Sequence, residues 1–192
     1  MTPLIHQDHE LILGGARSGK SRTAEARASA WLRGGAGREA ALIATAWGGD
    51  GEMVERIRKH RVERAMRVPA LATFEVPTDL PAAVLRLSAP HRLLVIDCLT
   101  LWLTQCLLPP TGRGMDTGAW QAEQDALLRA LHESPGPIVL VSNEIGLGVM
   151  PLSREARACV DALGIVHQRV AAHCARITLM VAGCELAIKE RR

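Results

Sequence analysis

Short, unbroken apolar runs alternate along this chain with longer stretches rich in Ala, Leu, Glu and Arg. The runs at 10–15 (ELILGG), 41–46 (ALIATA), 91–100 (HRLLVIDCLT), 136–144 (GPIVLVSNE) and 176–183 (RITLMVAG) read as strands, with a shorter one at 72–77 (ATFEVP). They are continuous instead of alternating with polar residues, which predicts strands buried on both faces. Helices are predicted over 18–33, 51–67, 80–89, 99–108 and 119–134. A last helical stretch covers 154–175 and is expected to be interrupted at Gly164, and segment 109–118 (PPTGRGMDTG) carries turn chemistry and reads as a loop. Strands and helices in this alternation predict an α/β fold, a mostly parallel central sheet with helices on both faces.

Composition narrows the function. A chain of 192 residues suits one domain and needs no disulfide or metal staple. With 48% hydrophobic and 22% charged residues it is too apolar to be disordered. Aromatics are 3%, with no Tyr and one Phe, which argues against a stacking surface for single-stranded nucleic acid. Against 20 acidic residues stand 23 basic ones, and a net charge of +3 is too small for a DNA-coating protein. The 5 cysteines form no CxxC pair, so neither a zinc site nor a disulfide framework is indicated. The N-terminal MTPLIHQDHE lacks a signal pattern, and no apolar run is long enough to span a bilayer. The expectation is a soluble cytoplasmic protein with no nucleic-acid or membrane partner.

The strongest chemical signal follows the first strand. Gly14 to Ser21 read GGARSGKS and fit G-x-x-x-x-G-K-[ST], with Gly14, Gly19, Lys20 and Ser21 at the fixed positions. The motif stands between a predicted strand and a predicted helix, the context a phosphate-binding P-loop requires. Its glycines let the backbone of Gly14, Gly15, Ala16, Arg17, Ser18 and Gly19 fold into a nest whose N–H groups face phosphate oxygens. The following helix adds its positive end. Lys20 supplies a mobile charge at the outer phosphates, and the Ser21 hydroxyl can ligate magnesium. The expected organisation is an N-terminal tail over 1–10 and a single P-loop nucleotide-binding domain over 11–192.

Other candidates lie further along. Asp97 emerges at the carboxyl end of the strand LLVID, where ligands bind in open α/β sheets, and is a second magnesium-ligand candidate. The same position also suits a helix N-cap. His60 lies amid Arg56, Arg58, Lys59, Arg61, Arg64 and Arg67. Surrounding cations disfavour the charged imidazole, which predicts a neutral nucleophilic ring, and a nearby phosphate chain would be held by the arginines. Spacing alone favours a plainer solution: a solvated helix with Glu52 and Glu55 paired to Arg56 and Lys59, and His60 beside Ile57 on its apolar face. Segment 142–151 (SNEIGLGVMP) is either an active-site loop on the edge that carries Asp97 or a glycine turn into the next helix. His6, His9, His91, His132 and His173 form no ligand cluster.

Taken together, GGARSGKS, IAT, the RI…H spacing, DCLT and NEIGLG resemble one family. It is the bifunctional adenosylcobinamide kinase/adenosylcobinamide-phosphate guanylyltransferase family of cobalamin assembly. The likeness runs from about Leu11 to Lys189, and NEIGLG downstream of DCLT is far more specific than the P-loop. It implies a RecA-like P-loop NTPase fold assembled as a homo-trimer. It also implies two reactions on a small corrinoid substrate, with ATP, GTP and Mg2+. The hydroxyl of the aminopropanol arm is first phosphorylated by a nucleoside triphosphate. GTP then transfers GMP to that phosphate through a guanylylated histidine. By this resemblance His60 is the guanylylated residue, Ala44, Thr45 and Ala46 are a second nucleotide segment, Glu75 contacts nucleotide, and Asp97 is the acidic residue after the central strand.

The chain departs from the family at four places. The Arg-Pro stretch after the histidine is lengthened to RVERAMRVPAL, leaving Arg61, Arg64 and Arg67 as alternatives for the nucleotide contact. Leu71 replaces a Trp, His167 replaces an Asn before Gln168, and Met150 replaces a Val before Pro151. Two other readings stay open on the P-loop alone: a small-molecule kinase without a covalent intermediate, and a RecA-like ATPase that binds nucleic acid.

Overall fold

The computed structural model describes residues 6–48 and 51–190. Along the chain the elements are β1 (His6–Gly14), α1 (Lys20–Arg33), β2 (Glu39–Ala44), α2 (Gly51–Arg67), β3 (Leu71–Glu75), α3 (Leu80–Leu87) and β4 (Arg92–Asp97). They continue with α4 (Leu99–Leu107), α5 (Thr117–Glu133), β5 (Ile138–Asn143), α6 (Arg154–Ala171), β6 (Cys174–Val181) and β7 (Cys184–Lys189). The strands form one sheet in the order β3-β2-β4-β5-β1-β6-β7. Every neighbouring pair is parallel except β6 with β7. The α/β expectation therefore holds, and the continuous apolar runs have the cause inferred for them: both faces of the sheet are covered.

Alternate side chains of each strand feed two cores. On one face Ile12, Leu42, Val95 and Val141 pack against Ala24 and Ala28 of α1 and Val68 at the end of α2. On the other face Leu11, Ile43, Leu94 and Leu140 pack against Leu80 of α3, Trp102 of α4, Leu127 of α5 and Val166 of α6. So α1 and α2 share one side of the sheet, and α3 to α6 cover the other. Small residues at Ala24 and Ala28 let α1 lie close to the strands.

Three expectations need correction. The tail expected over 1–10 is already strand from His6, which pairs with Cys174 across β1 and β6. Polarity misled the reading there, because His9 and Glu10 are buried. Each is satisfied by partners distant in sequence. His9 contacts Leu131 O at 2.9 Å and accepts from Ile138 N–H at 3.3 Å, while Glu10 accepts from Arg27 at 2.9 Å and Thr178 at 2.8 Å. Second, α6 runs unbroken through Gly164, where packing on the sheet outweighs a roughly 1 kcal/mol glycine penalty. Third, the chain does not end its strands at β6. Ala182 and Gly183 both take positive φ, 51° and 81°, and turn it back into β7.

The second core has one clear anchor. Trp102 is fully buried, its ring centroid lies 5.0 Å from that of Trp120, and its indole N–H donates to Thr78 O at 3.1 Å. Trp102→Ala is expected to lower the unfolding free energy by about 3–5 kcal/mol in urea denaturation. A loss below about 1 kcal/mol would show that the helices on that face do not depend on it.

Candidate active site

The P-loop forms as the motif requires. Gly14 has φ 152° and Gly19 φ 104°, and Arg17, at φ 55°, is left-handed between them. A side chain at Gly14 would bring Cβ within 2.5 Å of Met180 O and 2.7 Å of Ser18 Oγ, so the residue is fixed by space as well as by conformation. Gly19 caps α1, which has no acidic residue in its first turn, leaving the positive helix end to an anion. Lys20 is buried, and its Nζ donates to Gly15 O at 2.6 Å and reaches Ser18 Oγ at 3.5 Å. Burial lowers the Lys20 ammonium below its usual range, opposed by Cys98 and Asp97. Cys98 is itself pushed up to about 12 by burial, so at neutral pH it is an uncharged thiol.

The parallel register assembles the other candidates along one edge. Gly14 pairs with Asn143, Ala44 pairs with Asp97 on one side and with Glu75 on the other, and Asp97 also pairs with Val141. Strand ends carrying Gly14, Ala44, Glu75 and Asp97 thus lie at the carboxyl edge of the sheet, where ligands of open α/β folds bind. Thr45 is fully buried, donates from Oγ1 to Cys98 O at 2.7 Å and accepts from Cys98 N–H at 2.8 Å. Its N–H bonds Asp97 O at 3.1 Å, so Thr45 braces the turn that presents Asp97. Ala46, next along, is half-buried.

His60 is exposed on α2, and Ile57 is half-buried. Glu55 pairs with Arg58 at 2.6 Å, three positions on, and not with Lys59 as expected. The side chains of Glu52, Met53 and Arg56, and with them the expected Glu52–Arg56 pair, lie outside the described ones. Arg61 forms an ion pair with Glu75, joining α2 to the end of β3. Arg64 is buried, with Nη1 3.4 Å from Thr73 Oγ1. A cavity of about 300 Å3 opens between α2 and β3, and Arg61, Arg64, Leu71 and Thr73 line it.

Sequence reasoning passed over Glu25. It lies on α1 with 3% of its surface exposed, and Arg64 Nε is 3.6 Å and Arg67 Nε 3.0 Å from its carboxylate. Burial raises the Glu25 carboxyl above its usual range, and Arg67 and Arg64 oppose that shift. The available signal was its place one helical repeat before Ala28, inside the apolar stripe that α1 lays on the sheet. Glu25 joins the P-loop helix to the histidine helix. Both helices run away from the carboxyl edge. Lys20 precedes Glu25 by 5 positions and His60 precedes Arg64 by 4, so each lies roughly 6–8 Å above the clamp at about 1.5 Å per residue.

A family model described as cobinamide kinase / cobinamide phosphate guanyltransferase matches residues 10–188. The chain belongs to this family. A relative from Pseudomonas aeruginosa, named a bifunctional adenosylcobalamin biosynthesis protein, is 46% identical over 94% of this chain and 96% of its own length. One of the same description from Escherichia coli is 34% identical, covering 93% of this chain and 98% of the relative. Among solved structures, the flagellar accessory protein FlaH of Methanocaldococcus jannaschii aligns with a TM-score of 0.53 at 12% identity, over 98% of this chain and 80% of that one. That likeness bears on fold, and it supports the RecA-like P-loop architecture expected of a cobinamide kinase/guanyltransferase family member.

Removing Glu25 leaves Arg64 buried without a counter-charge. Glu25→Ala is expected to destabilise the protein by about 3 kcal/mol and to speed amide exchange across α2. Unchanged exchange in α2 would show that Val68 and its apolar neighbours dock the helix by themselves.

Proposed function

We propose that this enzyme carries out both steps the family is named for, using His60 as a covalent carrier. In the first step a nucleoside triphosphate, ATP or GTP, phosphorylates the hydroxyl of the aminopropanol arm of adenosylcobinamide. In the second, GTP transfers GMP to the new phosphate. The observation that carries this reading is the placement of α1 and α2 on one face of the sheet, coupled through Glu25. The phosphate cradle and the imidazole are thereby borne by neighbouring helices.

In the kinase step the nest from Gly14 to Gly19 holds the phosphates through main-chain N–H groups, and Lys20 neutralises charge as it develops. Magnesium fits the donor set. Among the described residues no cluster of three or more His, Cys, Asp or Glu exists to cage a metal. Ser21, in the first turn of α1, and Asp97, at the end of β4, offer a hydroxyl and a carboxylate. Magnesium, which keeps waters and phosphate oxygens as ligands, needs no more from the protein.

In the transfer step a nitrogen of His60 attacks the α-phosphorus of GTP. The His60–phosphorus bond forms as the bond to pyrophosphate breaks, and the corrinoid phosphate then displaces the imidazole. Two displacements replace one harder one. Arg61 and Arg64, which line the cavity between α2 and β3, supply guanidinium groups for this chemistry, with Ala44, Thr45, Ala46 and Glu75 at the adjoining strand ends. The homo-trimer implied by the family belongs to the same proposal. Exposed Val62 and Met66 on α2 and Phe74 on β3 support association through this edge of the sheet. No helix among the described residues is long and apolar enough to cross a membrane, and the five cysteines are free, as a reducing cytoplasm would keep them.

Incubation with GTP labelled at the α-phosphate is expected to leave label on the wild-type chain and none on His60→Ala. Absence of label on the wild type would leave a kinase without a covalent step. Lys20→Ala is expected to slow the kinase reaction by about 10²-fold or more, the worth of one transition-state charge contact. Near-normal turnover would mean that the P-loop is not the catalytic phosphate site.

A further inference from the structure

The loop after β5 lies on the carboxyl edge and takes no part in the two reactions as described. Strand order places the end of β5 between β4, which presents Asp97, and β1, which leads into the P-loop. Glu144 is the first residue past Asn143, and its main-chain N–H donates to Gly14 O at 2.9 Å. Its side chain is 22% exposed, on a residue whose main chain abuts the start of the phosphate cradle. Oε1 accepts from Gly146 N–H at 2.8 Å, and Oε2 lies 3.6 Å from His167 Nδ1.

Behind Glu144 runs a buried chain of polar groups. His167 Nε2 is 2.7 Å from Ser142 Oγ, and Ser142 Oγ is 3.1 Å from Thr100 Oγ1. Thr100 Oγ1 accepts from Asn143 N–H at 2.8 Å. The direction that gives each hydroxyl proton an acceptor is Thr100 to Ser142 and Ser142 to His167 Nε2. His167 then carries its proton on Nδ1, the nitrogen facing Glu144. Burial pushes the His167 ring below its usual range, and Glu144, the charged group that faces it among the described residues, opposes that shift. With Gly146 N–H on Oε1 and the His167 ring 3.6 Å from Oε2, the Glu144 carboxylate is held in one orientation.

The kinase step needs such a group. As the corrinoid hydroxyl attacks, its O–H bond breaks and its oxygen bonds the γ-phosphorus. The bond from γ-phosphorus to the β–γ bridging oxygen breaks, and the nucleoside diphosphate leaves with that electron pair. The hydroxyl proton needs an acceptor at the cradle. Three other carboxylates are already engaged: Asp97 is the magnesium-ligand candidate, Glu75 is paired with Arg61, and Glu25 is buried between Arg64 and Arg67. We propose that Glu144 is the proton acceptor of the phosphoryl-transfer step and that His167 is the residue that positions it. This rests on the kinase reading of the family and is independent of the covalent step at His60.

The test measures the two half-reactions separately in the full chain: phosphorylation of the corrinoid from γ-labelled ATP, and GMP incorporation from α-labelled GTP. Glu144→Gln is expected to lower the kinase kcat by about 10²-fold or more with little change in KM for ATP. GMP incorporation, which uses the same P-loop, stays within about twofold of wild type if only the base is lost. His167→Ala is expected to slow the kinase about tenfold, and His167→Asn, whose amide N–H can face Glu144 in its place, to restore most of that loss. Normal kinase turnover in Glu144→Gln overturns the proposal. So does an equal fall in both half-reactions, which would mean that Glu144 only braces Gly14. A wild-type chain that transfers no phosphoryl group overturns the kinase reading itself, and the proposal with it.

Discussion

Parallel strands bonded in register all end on the same side, and this chain places its chemistry at those ends. Asn143 lies opposite Gly14, Asp97 opposite Ala44, and Ala44 opposite Glu75. A one-residue slip between any two strands would send each of these side chains to the opposite face and separate the phosphate loop from its carboxylates. The loop itself has no slack. Gly14 meets the main chain of β6 at Met180, so a side chain there would push β1 away from β6 or displace Ser18. The position of the nest is thus set by the sheet as much as by the glycines within it.

The second constraint is the cost of burying charge. Glu10, Lys20 and Glu25 are each almost entirely out of water. Each is tolerated because its partners come from other elements. Glu10 on β1 takes Arg27 of α1 and Thr178 of β6. Lys20 turns back onto Gly15 O in the loop it serves. Glu25 draws Arg64 and Arg67 of α2 down onto α1. Such pairs add little net stability, but breaking one leaves a charge buried, so they hold the elements in a single relative position. The α1–α2 clamp therefore works beside the apolar packing of Val68 to orient the helix that bears His60.

Local chemistry was legible in the sequence, and long-range satisfaction was not. The P-loop, the strand that ends at Asp97 and the helix that carries His60 depend on neighbours within a few residues, and each stands where its motif placed it. Sequence places His9 and Glu10 at the boundary between tail and strand, because a polar residue next to a strand is ordinarily solvated. Their partners lie more than a hundred positions away or on another helix, beyond any local pattern. Gly164 reads as a break because its propensity is poor, while the helix persists because Leu163, Val166 and Val170 around it are buried. The turn at Ala182 and Gly183 was missed because the alanine takes a left-handed conformation that its identity does not advertise.

The order of apolar runs and the glycine spacing by themselves determined the α/β class, the phosphate loop and the edge of the sheet where it opens, because these follow from periodicity and from the freedom of glycine. Tertiary structure decided that α1 and α2 share a face, that Arg61 turns to Glu75 while Arg64 turns inward, and that His167 stands behind Glu144. Those choices balance desolvation against pairing between groups far apart in the chain. That balance exists only once the strands have been brought into register.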